Sequence, residues 1–309
     1  MTVSSPSSFL DPAALMSIRN LELRARTVVE GFSHGLHRSP YHGFSVEFTE
    51  YRAYTPGDDP RHLDWRLVGR TDRYFIKKFE DETNLRCHLL VDQSLSMTFG
   101  SRGVTKADYA RTLAATLAYF LAQQGDATGL LTFDEQVREY LPAKHRPGHL
   151  RHLMLALEKP AAGRSTDLAA PLKRVAELTR KRGLIVLLSD LLAPLESLEG
   201  PLALLTAARH EVIVFQILDP AELTFDFETA SRFLDMETGR DLFLDPAAAR
   251  IDYRARIDAH LAGVRALCER LGITHLQLPT SQPLEIALFD FLKARSSRGK
   301  LIRRKGAAS

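Results

Sequence analysis

Hydrophobic positions along the chain switch between two periods. Short uninterrupted apolar runs, of the kind that fill buried parallel strands, alternate with stretches whose apolar residues recur every three to four positions. Runs of strand type lie at 85–91, 128–133, 184–188, 212–218 and 274–278, and half-buried alternation marks 44–48, 74–79 and 137–141. Helical spacing covers 106–123, 149–157, 168–179, 202–209, 246–271 and 284–294. Leu15, Ile18, Leu21 and Ala25 predict one further helix, opened by Asp11-Pro12 and stopped at Gly31. A late hairpin is predicted within 231–244, turning at Thr238-Gly239. Strands alternating with helices predict an α/β fold, a doubly wound and mostly parallel sheet. An N-terminal helix and β-strand extension, residues 1–83, precedes this main domain at 84–295, and 296–309 form a basic flexible tail.

Composition narrows the class without choosing a function. With 309 residues, 45% hydrophobic and 26% charged, the chain is long enough for one large or two smaller globular domains. A formal net charge of +3 is too mild to argue nucleic-acid binding. Cys87 and Cys268 are far apart and lack zinc spacing, which favours a reduced setting. No apolar run is long enough to cross a bilayer, and the first residues lack a signal peptide's basic flank and apolar core. The expected location is cytoplasmic, with no membrane insertion.

The chain is organised around LRCHLLVDQSLSM, residues 85–97. A buried parallel strand there delivers Asp92 to the C-terminal edge of the sheet, where ligands collect. Ser94 and Ser96 follow at alternate positions on a turning loop, so one carboxylate and two hydroxyls converge. Hard divalent cations such as Mg²⁺ take oxygen ligands of this kind. Asp190 terminates a second buried strand in the same way, and the Gly163–Asp167 stretch, GRSTD, lies between them in a loop before a helix.

Other candidate chemistry is weaker. Gly31-Phe32-Ser33-His34-Gly35 matches a nucleophile elbow formally, but that elbow needs a strand before the serine, and here a helix precedes it. Asp58, Asp59, His62 and Asp64 are possible metal ligands. They are better explained as helix caps and an Arg61–Asp64 pair beside the packing anchor Trp65. His88 lies within the strand and is expected to pack. Asp167 reads as a helix-start charge. Basic clusters at 144–146, 151–152 and 180–182 suit loops and helix ends, and the basic tail does not choose among anionic partners. No phosphate-binding loop, zinc-protease motif or dinucleotide fingerprint is present.

A specific resemblance enters with Glu47-Phe48, Tyr51-Arg52, Tyr54, Pro56-Gly57-Asp58-Asp59, Arg61 and Asp64-Trp65-Arg66, followed by Asp92-x-Ser94-x-Ser96-Met97. The chain resembles the family called domain of unknown function 58, in which this signature precedes a domain similar to the von Willebrand factor type A domain. The resemblance covers nearly the whole chain. It implies a von Willebrand factor A-like, Rossmann-like fold. Asp92, Ser94, Ser96, Thr166 and Asp190 then match the five positions of a metal-ion-dependent adhesion site holding Mg²⁺ or Mn²⁺. Type A domains usually have Asp-Gly at the last position, whereas Leu191 follows Asp190 here.

The function this implies is metal-dependent protein interaction and not catalysis, because no general base or activated nucleophile is evident beside the ligands. Relatives are typically associated with a MoxR-type AAA+ ATPase, which makes that ATPase the expected partner, together with an unidentified client protein. A metal-dependent hydrolase and a nucleic-acid-binding protein are the alternatives.

Overall fold

The computed structural model describes residues 9–38, 51–53, 75–77, 85–160, 168–179, 182–227, 231–234 and 241–306. It divides into two compact units, one of Met1–His34 with Leu85–Ser309 and one of Gly35–Asn84. The smaller unit ends at Asn84, and the N-terminal helical segment belongs to the larger one.

In the smaller unit, β1 (Tyr51–Ala53) pairs antiparallel with β2 (Phe75–Lys77). The strand expected at 44–48 and the segment from Asp58 to Trp65 lie outside the described residues.

At the N-terminus the structure corrects the single expected helix. Pro12–Met16 forms one turn capped by Asp11, and a separate helix runs over Leu21–Arg38. Asn20 causes the restart, accepting the Leu23 N–H through Oδ1 at 2.8 Å. Arg24 then satisfies the carbonyls left open by the break, donating to Ile18 O (2.7 Å) and Met16 O (3.3 Å). A further Arg24 bond reaches Thr112 Oγ1 at 2.9 Å and fixes this segment to the main unit. Gly31 lies inside the second helix and does not end it.

Six strands make the main sheet: β3 (Arg86–Asp92), β4 (Ala127–Phe133), β5 (Val137–Lys144), β6 (Leu184–Ser189), β7 (Glu211–Leu218) and β10 (Thr274–Pro279). Their spatial order is β10-β7-β6-β3-β4-β5. All neighbours are parallel except β4 and β5, which form a hairpin. Numbered along the chain, this is the doubly wound order in which the two halves diverge from the centre. β8 (Ser231–Leu234) and β9 (Asp241–Leu244) form the expected late hairpin as a separate two-stranded sheet.

The helices Lys106–Gln123 and His149–Leu157 pack together, and both contact β4. Three more, Ala169–Leu178, Leu195–Ala207 and Pro246–Arg270, pack in succession. Their Leu172, Leu198, Leu202, Val264 and Leu267 share a core with Leu90, Ile185, Leu187, Val212 and Val214 from the central strands. Burial on both faces explains why β6 reads as an unbroken apolar run, with all six of its residues buried.

Two helix boundaries differ from the sequence pattern. The helix expected at 202–209 begins at Leu195 and passes through Pro201, which is buried. The last helix runs from Leu284 to Gly306, so the expected flexible tail is helical through most of its length. Residues 295–306 contain no proline, and their arginines, lysines and leucine are good helix formers.

The central strands carry the core, so truncating Leu187 to alanine should cost about 3–5 kcal/mol, the range for fully buried leucines. Denaturant unfolding of the Leu187→Ala variant measures this loss.

Candidate functional site

β3 and β6 are adjacent parallel strands, with Val91 opposite Leu188 in the register. The winding of the sheet reverses between them, the position at which open α/β sheets form a ligand crevice at the C-terminal ends of their strands. Asp92 closes β3, and Asp190 directly follows β6. Both residues are 1% exposed. The chain therefore brings Asp92 and Asp190, which are distant in sequence, to the same edge beside the switch point.

The loop after β3 is set by its own hydrogen bonds. The Ser94 N–H donates to Asp92 Oδ1 at 2.9 Å, an Asx turn that bends the chain immediately after the strand. A single 3₁₀ turn, Leu95–Thr98, follows. The Ser94 and Ser96 hydroxyl oxygens lie 3.1 Å apart. At Gly100 the backbone passes so close to Val104 that a Cβ would sit 2.4 Å from its carbonyl oxygen, so only glycine fits there.

The loop after β6 is held by several hydrogen bonds. Ser189 Oγ donates to Asp92 Oδ2 at 2.6 Å and accepts the Leu191 N–H at 3.2 Å. Gln216 donates to the Asp190 carbonyl, and the His260 ring lies 2.8 Å from the Leu191 carbonyl. Leu191 itself has φ of 51°, a left-handed conformation normally left to glycine. This accounts for the departure from Asp-Gly: the backbone keeps the turn, and burial of the Leu191 side chain in the core offsets the strain.

Lys106 is the principal residue that sequence reasoning missed. Its ammonium is completely buried and donates to Asp190 Oδ2 at 2.8 Å and to Glu222 Oε1 at 2.5 Å. Glu222 belongs to a capping box with Asp219 at the start of the short Pro220–Thr224 helix. Asp219 also accepts the Ser101 N–H at 2.9 Å, which ties this helix to the loop after β3. One signal for Lys106 was available in the sequence. It opens a helix, where a positive charge opposes the helix dipole and needs a partner elsewhere.

Charge balance at the crevice is uneven. Burial and the neighbouring Asp190 push the Asp92 carboxyl up to about 7, against the opposing hydrogen bonds from Ser189 and Ser94. Burial works against the Lys106 ammonium, but Asp190 and Glu222 outweigh it and hold it charged. Asp190 thus has a cationic partner, whereas among the described residues Asp92 is bonded by Ser94 and Ser189.

Thr166 and Asp167 lie outside the described residues. Leu168, just beyond them, is buried in the same core cluster as Leu191. Among the described residues, no three His, Cys, Asp or Glu side chains group as a metal site. The donor set at the crevice is instead two carboxylates and two hydroxyls, all oxygen, which suits a hard divalent cation. His88 is buried within β3, and its pKa is lowered to about 4 chiefly by burial. Ser33 sits inside a helix and donates to the Val29 carbonyl at 2.9 Å, so it is no nucleophile elbow. No helix among the described residues is long and apolar enough to cross a membrane.

The profile of the family described as Protein of unknown function DUF58 matches residues 50–263. An uncharacterized protein of Mycobacterium tuberculosis is 31% identical over 297 residues, covering 94% of this chain and 92% of its own length. The conserved hypothetical protein BatB of Bacteroides thetaiotaomicron aligns with a TM-score of 0.47 at 13% identity, over 69% of this chain and 99% of that one. The SpRpn10 VWA domain aligns with a TM-score of 0.37 at 14% identity, over 66% of this chain and 93% of its own.

Two outcomes are expected of this geometry. Leu191→Gly relieves the left-handed strain but empties a core position, and a net loss of about 2–4 kcal/mol should appear in denaturant unfolding. The raised Asp92 pKa means that the folded state holds its proton more tightly than the unfolded state. Metal-free wild type should therefore lose stability relative to Asp92→Asn as pH rises from about 4 to about 7, with the difference levelling off above. Melting curves of both proteins across that range, in chelator, measure it.

Proposed function

The chain belongs to the DUF58 family, and we propose that it is a non-enzymatic, metal-dependent protein-interaction module built on a von Willebrand factor A-like domain. One observation carries the reading. Asp92 and Asp190 flank the switch point of the sheet, with the Ser94 and Ser96 hydroxyls 3.1 Å apart on the adjoining loop. Among the described residues, no side-chain cation is hydrogen-bonded to Asp92, and the serines supply neutral oxygens beside it. Thr166 and Asp190 complete the ligand set by family resemblance, as a metal-ion-dependent adhesion site for Mg²⁺ or Mn²⁺. A bound ion of this type offers an open position to a hard anionic oxygen, such as a partner's Asp or Glu side chain. Leu192, two residues after Asp190, is a large apolar side chain left 36% exposed.

The carboxylates' neighbours also favour binding over turnover. Among the described residues their side-chain and backbone partners are Ser94, Ser189, Lys106 and Leu192, and the Ser189 hydroxyl, which donates to a carboxylate, is fully buried and out of reach of a substrate. The partner is proposed, from family resemblance, to be a MoxR-type AAA+ ATPase, with the module presenting a client protein to it.

Calorimetric titration should show Mg²⁺ or Mn²⁺ binding to wild type, lost in Asp92→Ala and weakened at least ten-fold in Asp190→Asn. Thr166→Ala should keep the fold and weaken metal-dependent partner capture. Undiminished binding by Asp92→Ala, or partner-free hydrolysis of phosphate esters abolished by Asp92→Asn, would overturn the reading.

A further inference from the structure

Lys106 is a fully buried ammonium in direct contact with one of the two switch-point carboxylates. A long, flexible cation at a helix start is normally solvated, and taking it out of water is costly unless its partners are well placed. Here both are: Asp190 Oδ2 at 2.8 Å and Glu222 Oε1 at 2.5 Å. The other Asp190 oxygen accepts the Leu192 N–H at 3.3 Å. Both oxygens of Asp190 are thus engaged within the chain.

Formal charges around the crevice are Asp92, Asp190 and Glu222 at minus one each and Lys106 at plus one. These four groups leave minus two, and the buried carboxylate of Asp219, joined to Glu222 through the capping box, brings the network to minus three. Without the lysine the balance would be minus four.

We propose that Lys106 is a specificity-determining and positioning residue of the switch-point site: its ammonium holds Asp190 in place and sets the strength of cation binding beside Asp92. This rests on the metal-dependent reading above and deepens it. The ammonium competes for Asp190 and repels any second cation, so the site favours weak, reversible occupancy by one divalent ion. Glu222 moderates that competition by drawing part of the ammonium's hydrogen bonding away from Asp190. Through the capping box and Asp219, the same contact reaches Ser101 on the loop that carries the serines. Ion binding beside Asp92 and the packing of the Pro220–Thr224 helix are therefore linked through one side chain.

The test is Mg²⁺ and Mn²⁺ titration of the full chain, followed by calorimetry and by melting temperature. Wild type, Lys106→Met, Glu222→Gln and Asp92→Ala are compared. Lys106→Met should melt lower without metal, yet bind Mg²⁺ at least about ten-fold more tightly, because one unit charge a few ångströms away is worth more than that factor even through an effective dielectric of about 20. Glu222→Gln should bind several-fold more weakly, because the ammonium then rests on Asp190 alone. A purely structural lysine would lower the melting temperature and leave the Mg²⁺ midpoint unchanged.

If both variants match the wild-type midpoint while Asp92→Ala abolishes binding, the role of Lys106 is overturned and the metal site stands. If Lys106→Met fails to fold, Glu222→Gln decides, with an unchanged midpoint overturning the proposal. Binding by Lys106→Met but not by wild type would support control by the ammonium and remove the metal-loaded reading of wild type. Absence of binding in every protein overturns both.

Discussion

The structure depends on burying carboxylates at the C-terminal ends of its two central strands. β3 and β6 are covered on both faces, so the residues that end them leave the sheet with little water around them. An isolated charge in such a place is expensive, and removing one partner of a buried ion pair typically costs about 3–5 kcal/mol. Asp190 meets this constraint with the ammonium of Lys106, and Asp92 meets it with two hydrogen bonds and a raised pKa. Fold and chemistry converge here, because the doubly wound topology places both residues beside the switch point.

Around that constraint the loops are rigid where the backbone is unusual. Leu191 occupies a left-handed conformation that costs roughly 1–2 kcal/mol for a residue with a side chain. Its N–H and carbonyl are both engaged, and its side chain is buried with Leu168, Leu172 and Leu198. A glycine would adopt the turn without strain but would contribute nothing to this core. The Asp190 side chain is thereby oriented by packing as much as by hydrogen bonding.

The capping box at Asp219 and Glu222 extends the same network to a third strand end. β7 finishes at Leu218, and Asp219 turns the chain while accepting bonds from Ser101 and Ala221. Glu222 reaches back to the Asp219 N–H and forward to Lys106. Three neighbouring strands thus deliver acidic residues to one edge, and one lysine joins two of their loops.

The sequence by itself determined the strands of the main sheet, since five are short, largely apolar runs and β5 shows half-buried alternation. It also placed Asp92, Ser94 and Ser96 on one loop, because their convergence follows from spacing along a single turn. Helix limits were less legible: Pro201 hid the start of one helix, and Asn20 divided another through a cap that local hydrophobic spacing does not register. What only the tertiary structure decided were the partners. Lys106 meets Asp190 across 84 residues and Glu222 across 116, and Ser189 meets Asp92 across 97. Such contacts depend on which strands become neighbours and on how helices cover them. Periodicity along the chain reports which face of an element is buried, but a buried charge finds its partner only after the sheet has been wound.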